Sequence, residues 1–84
     1  MGHRVEFEPG ATRDLGRLPA AAQAKLRSRI EALAETPRPA GAKKLSDSEN
    51  LYRIRVGIYR VVYDVRDRVL LVMVVRVAKR GRAY

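Results

Sequence analysis

Between residues 51 and 77 the chain reads as three strand-like runs, 51–56, 58–65 and 68–77. They are rich in Val, Ile, Leu and Tyr and are separated only by Gly57 and by Arg66-Asp67. Breaks that short join antiparallel neighbours, because a parallel crossover needs a dozen or more residues. A three-stranded antiparallel meander is therefore predicted, and everything upstream has to pack against it. Residues 3–8 alternate, with Val5 and Phe7 on one side and Arg4, Glu6 and Glu8 on the other, which predicts an edge strand ended by Pro9-Gly10. Residues 11–18 carry Leu15 and Leu18 at helical spacing with Thr12 as a cap, and Pro19 divides this helix from a second over 20–35. The second helix sets Ala22, Leu26, Ile30 and Leu33 on one stripe and leaves Lys25, Arg29 and Glu35 off it, the pattern of a core face. Residues 36–50, with Pro37, Pro39 and Gly41 and no periodicity, read as a surface loop.

Strand, helix, helix and three strands make an α+β fold in which two helices cover one face of the sheet and leave the other open. With 84 residues there is room for one domain spanning 1–84 and one core. The 46% hydrophobic content is sufficient for that core, unlike a disordered segment, and the absence of cysteine excludes a disulfide scaffold. The longest apolar run, 69–75, is far short of the ~20 residues of a membrane helix. The N-terminal residues show no apolar stretch of a secretory signal, so a cytoplasmic protein with no membrane partner is expected.

The formal charge is +9, and it is unevenly placed. Residues 1–50 hold nine basic and seven acidic side chains, whereas residues 51–84 hold nine basic and two acidic. A field concentrated in this way attracts polyanions, nucleic acid or an acidic protein, although a merely basic soluble surface gives the same count. Strand phase sharpens the reading. Arg53 and Arg55 share a face with Leu51, opposite Tyr52, Ile54 and Val56. Same-face neighbours lie ~6.6 Å apart at ~3.3 Å per residue, so two guanidiniums can straddle one phosphate or hold adjacent ones. Arg60 shares a face with Ile58, Val62 and Asp64, opposite Tyr59, Val61, Tyr63 and Val65. If the helices cover the tyrosine-rich face, the three arginines stand together on the wet one. Like charges there weaken a sheet, so the arrangement asks for an anion, with Asp64 available to pair with one of them.

Arginine grips two phosphate oxygens in a planar fork and stays charged at ordinary pH. Arg53, Arg55, Arg60 and, from the tail, Arg80 are therefore candidate electrostatic groups for a phosphorane-like transition state, but not bases. Lys43 and Lys44 in the loop, with Lys79 and Arg82 in the tail, are further candidate polyanion contacts. Tyr84 has three readings: stacking on a base, acting as an acid or base if nearby cations lower its pKa from about 10, or a frayed end. The single histidine, His3, reads as an exposed edge residue. No acidic cluster or Gly-rich phosphate loop is present, so any phosphate chemistry here is expected to need neither metal nor cofactor.

The element order, the segment Tyr52-Arg53-Ile54-Arg55-Val56-Gly57-Ile58-Tyr59-Arg60-Val61-Val62-Tyr63 and the ending Arg76-Val77-Ala78-Lys79-Arg80-Gly81-Arg82-Ala83-Tyr84 resemble the RelE branch of the RelE/ParE toxins of bacterial toxin-antitoxin systems. The resemblance covers nearly the whole chain. It implies a RelE-like fold and a metal-independent endoribonuclease that enters the ribosomal A site and cuts mRNA by attack of a 2′-hydroxyl on the adjacent phosphate. By the same resemblance Arg53 and Arg55 stand where relatives have a phosphate-binding basic pair, and Arg60 matches the transition-state arginine. Arg80 matches the arginine assigned to leaving-group protonation or charge stabilisation, and Tyr84 the tyrosine assigned to stacking or proton removal. The best-known relative has lysines at the positions of Arg53 and Arg55, and many relatives have His at Lys79. The implied partners are a cognate RelB-like antitoxin, the ribosome and mRNA, with operator DNA contacted only through the antitoxin. Two other readings are compatible with the residues: a ParE-like gyrase inhibitor without enzymatic activity, and a member that binds RNA or antitoxin after losing catalysis.

Overall fold

The computed structural model describes residues 2–45 and 50–79. In chain order it contains β1 (Arg4–Phe7), α1 (Pro9–Gly16), α2 (Ala20–Ala32), β2 (Lys43–Lys44), β3 (Leu51–Val56), β4 (Tyr59–Arg66), a single 3-10 turn (Asp67–Val69) and β5 (Leu71–Lys79). The sheet order is β1-β5-β4-β3-β2, with β1 parallel to β5 and the other pairings antiparallel. The expected meander is thus present, with the first strand at one edge.

Three local features differ from the sequence-based expectation, each for a physical reason. Pro9 opens α1 instead of merely ending β1: its fixed φ suits the first helical turn, its missing N–H would have had no partner there, and Thr12 N donates to Glu8 O at 3.0 Å, so Glu8 stands at the N-cap and Thr12, the expected cap, lies inside the helix. The segment expected to be pure loop contributes β2, because Lys43 and Lys44 pair with Arg53 and Tyr52 along the open edge of β3. The β4–β5 connection exceeds two residues, since the chain makes a 3-10 turn and passes through Leu70 at φ 51° before pairing resumes. At the β3–β4 turn, Gly57 takes a φ of 60°, a left-handed value that costs glycine little.

One face of the sheet is the core. Val5, Phe7, Tyr52, Ile54, Val56, Val61, Tyr63, Val65, Val72, Val74 and Val77 point toward Ala11 and Leu15 of α1 and Leu26, Ile30 and Leu33 at the end of α2. The intervals of four and three put the α2 residues on one stripe, and burying each such side chain stabilises the fold by about 1.5–3 kcal/mol. Tyr63 is fully buried and donates its hydroxyl to Pro37 O at 2.7 Å, which ties the α2–β2 segment to the sheet. Gln23 Nε2 donates to Leu18 O at 2.8 Å and holds the junction of the two helices.

Strand alternation breaks once. Val62 lies opposite Arg76 and Tyr63 opposite Val74, so Val75 is an extra residue on β5. Val72, Val74 and Val77 are all buried although 74 and 77 differ in parity. The bulge lets Val77 return to the core and turns Arg76 outward; an unbroken strand would have put Arg76 among the buried valines.

Candidate functional site

The sheet face away from the helices is where the cations collect. Arg55 lies directly across from Arg60, which lies across from Ala78. The adjacent row runs Lys43, Arg53, Val62, Arg76 over β2, β3, β4 and β5. The next row, Leu51, Asp64, Met73, Glu6, holds the acids of this face. Those acids are engaged locally: Asp64 Oδ2 accepts from Arg66 Nε at 2.8 Å, and Glu6 Oε2 lies 3.4 Å from Arg4 Nε. Asp64 was the expected counter-charge for Arg53, Arg55 or Arg60; its ion pair is with Arg66 instead.

Two cationic rows therefore sit side by side. Among the described residues, Lys43, Arg53 and Arg76 form no ion pair. Val62, between Arg53 and Arg76 in the register, is only 5% exposed although it lies outside the helix-covered core cluster. Long aliphatic stems on both flanks shield such a side chain while their charged heads stay in water. This gives the site an apolar floor and a rim of guanidiniums. Such a rim can hold the oxygens of a phosphodiester and stabilise extra negative charge on them.

The remaining strong polar network lies elsewhere. Arg38 donates from Nη2 to Asp67 Oδ2 at 2.8 Å and from Nε to Tyr52 OH at 3.0 Å, with its guanidinium 5.2 Å from the Tyr52 ring centroid. Tyr52 stacks on Tyr63 with centroids 6.1 Å apart. His3 Nε2 is 3.0 Å from Asp67 Oδ1, so His3 is tied to the β4–β5 turn, its side chain only 13% exposed, where the sequence suggested an open edge residue. The Arg38 hydrogen bond, and then that from His3, hold the Asp67 carboxyl below its usual value. The hydrogen bonds to Asp67 and then Tyr52 raise the pKa of Arg38, and burial pushes Tyr63 up to about 12. Asp67, the second acid of the C-terminal half, is thus spent on Arg38 and neutralises nothing on the open face.

Of the candidates from sequence, Arg53, Arg55, Arg60 and Lys43 come together on this face. Lys44, opposite Tyr52, and Lys79, opposite Tyr59, follow the other phase of the alternation and lie on the opposite side. Arg80, Arg82 and Tyr84 lie outside the described residues. Arg76 joins the site without having been a candidate. Its signal was a parity change among buried valines, hidden because Met73 and Val75 are apolar too. Among the described residues no group of three His, Cys, Asp or Glu side chains could hold a metal ion, and no helix is long and apolar enough to cross a membrane.

Residues 5–84 match the family described as ParE toxin of type II toxin-antitoxin system, parDE. A Methanocaldococcus jannaschii protein with the provisional name toxin RelE1 is 33% identical over 89 residues, covering all of this chain and 97% of that one. The Escherichia coli mRNA interferase toxin RelE is 29% identical over 85 residues, 99% of this chain and 88% of that one. Among solved structures, the archaeal RelE-RelB complex from Pyrococcus horikoshii superposes with a TM-score of 0.85 at 30% identity, over 99% of this chain and 100% of that chain. A match spanning nearly the whole sequence, with the same architecture, places this chain in the RelE/ParE superfamily of type II toxin-antitoxin toxins, in its RelE-like branch.

Proposed function

We propose that this chain is the toxin of a type II toxin-antitoxin module: an endoribonuclease that cleaves mRNA in the ribosomal A site and is neutralised by a cognate RelB-like antitoxin. The observation that carries this reading is the pair of adjacent cationic rows, with Arg55 directly opposite Arg60 and Arg53 beside Arg76 across Val62. The names of the relatives, mRNA interferase among them, support it.

In the reaction a 2′-oxygen forms a new bond to phosphorus as the bond from phosphorus to O5′ breaks. The 2′ proton leaves and O5′ takes one up, giving a 2′,3′-cyclic phosphate and a free 5′-hydroxyl. Arg53 and Arg55 hold the phosphate oxygens, and Arg60 stabilises the charge that grows on them in the transition state. None of the three can act as a base at ordinary pH. The proton-transfer roles carried by the family resemblance, Arg80 at the leaving group and Tyr84 at the 2′-hydroxyl or stacked on a base, complete the scheme. The antitoxin would bring an acidic or amphipathic segment onto the open face, with operator DNA bound through the antitoxin.

Sequencing transcript 5′ ends shortly after induction tests this: cuts within codons on ribosome-bound mRNA are expected, and an Arg53→Ala, Arg60→Ala variant should abolish them. The family description by the name ParE favours one other reading, a gyrase inhibitor. Its mark would be a DNA-damage response with intact mRNA, and that result would displace the nuclease reading.

A further inference from the structure

A cleft of about 430 Å³ opens at the rim of the sheet, beside α1. β1 pairs with β5 only as far as Phe7 opposite Val74, so beyond Val74 the neighbour of β5 on that side is α1. Val75 and Arg76 line one wall, and Gly10, Arg13, Asp14 and Arg17 the other. The one carboxylate is committed, since Asp14 Oδ2 accepts a hydrogen bond from Val77 N at 3.1 Å. Arg13 and Arg17, one helical turn apart, are exposed. Neither they nor Arg76 make a side-chain hydrogen bond or ion pair with a described residue.

Three guanidiniums line a cleft whose one carboxylate already caps the backbone, so the cleft attracts an anion. Arg76 lines this cleft and also ends the row Lys43, Arg53, Val62, Arg76, so positive charge is continuous from the open face over the rim. Val75 is the single apolar side chain in the lining, which is poor anchorage for a protein segment but irrelevant to a phosphate backbone. We propose that the cleft between α1 and the β5 bulge is a second phosphate-binding subsite, with Arg13, Arg17 and Arg76 holding the RNA strand beyond the scissile linkage. This rests on the RNA reading of the open face.

The test is binding of uncleavable 2′-O-methyl RNA, a tetranucleotide and a dodecanucleotide, titrated against salt with the parent and an Arg13→Ala, Arg17→Ala variant. For the dodecanucleotide, two lost phosphate contacts at ~0.7 each should lower the slope of log affinity against log salt by about 1.4, with roughly tenfold weaker binding at low salt. The loss should be largely confined to the longer RNA, and Arg13→Lys, Arg17→Lys should restore most of the slope. A dodecanucleotide slope and affinity equal to the parent's would overturn the subsite. So would weaker binding of an acidic peptide with RNA binding intact, which would assign the cleft to a protein. An Arg53→Ala, Arg55→Ala variant separates the two readings: if it keeps RNA affinity while the Arg13 and Arg17 variant loses it, the open-face reading falls and with it the cleft's role as a second subsite, leaving RNA binding in the cleft alone.

Discussion

Arg55 and Arg60 face one another directly across β3 and β4. Cross-strand partners are about 4.5–5.5 Å apart at Cβ, and like charges at that spacing oppose pairing. On the proposed nuclease reading, an incoming phosphate bridges two arginines whose positions the strand register has already fixed. Preorganisation of this kind lowers the barrier more than it strengthens ground-state binding.

Arg55→Ala and Arg60→Ala should each slow cleavage by roughly 2–4 kcal/mol of transition-state stabilisation, the effect of removing one preorganised donor. Folding stability should change by less than about 0.5 kcal/mol for the exposed Arg55, and by more for the half-buried Arg60. Single-turnover cleavage and urea unfolding measure the two effects separately. A parallel loss of both would mean that the arginines support the fold and not the reaction.

Tyr63→Phe removes the hydroxyl that donates to Pro37 O at 2.7 Å in a part-buried contact. Losing one such hydrogen bond costs about 0.5–1.5 kcal/mol, and the denaturant midpoint should fall accordingly. Tyr63 is also held protonated up to about pH 12 in the native state, against about 10 when unfolded. Between those values the native state binds more protons than the unfolded chain, so stability falls as pH rises through this window. The Phe variant should lose that part of the alkaline slope.

Asp67 shows the opposite sign. Its native pKa lies below the ordinary 3.8 because of Arg38 first and His3 second. The unfolded chain then binds more protons in acid, so the contribution is present above about pH 4 and disappears as pH falls through the depressed native value. Asp67→Asn should be less stable than the parent at neutral pH, and the gap should close in acid. A gap independent of pH would mean that the network acts through packing and not through charge.

Asp14→Ala withdraws the acceptor for Val77 N at the point where β5 has no strand on its β1 side. A loss of about 1–3 kcal/mol is expected for the orphaned donor, with faster hydrogen exchange at Val77 in a residue-resolved measurement. Asp14→Asn keeps an acceptor oxygen and should recover most of the protection.

The meander, the α2 stripe and the common face of Arg53, Arg55 and Arg60 were legible in the residues, because side-chain direction in a strand or helix follows from a local period and needs no knowledge of the partner. Lys43 was legible only as a cation in a loop. That it stands beside Arg53, while Lys44 points the other way, depends on a two-residue pairing with β3 that no local pattern announces.

The phases of the strands over 51–65 and the excess charge of residues 51–84 belong to the sequence alone, since unbroken alternation and composition are properties of the chain whatever it packs against. Tertiary structure decided the rest: the Arg55–Arg60 register, the bulge at Val75 that turns Arg76 onto the cationic face, and the capture of Asp67 by Arg38 and His3. Each of these joins residues distant in the chain or chooses between two phases of one strand. Such choices are settled by which valines the helices can cover and which acids the turns bring within reach, so they exist only once the sheet has closed.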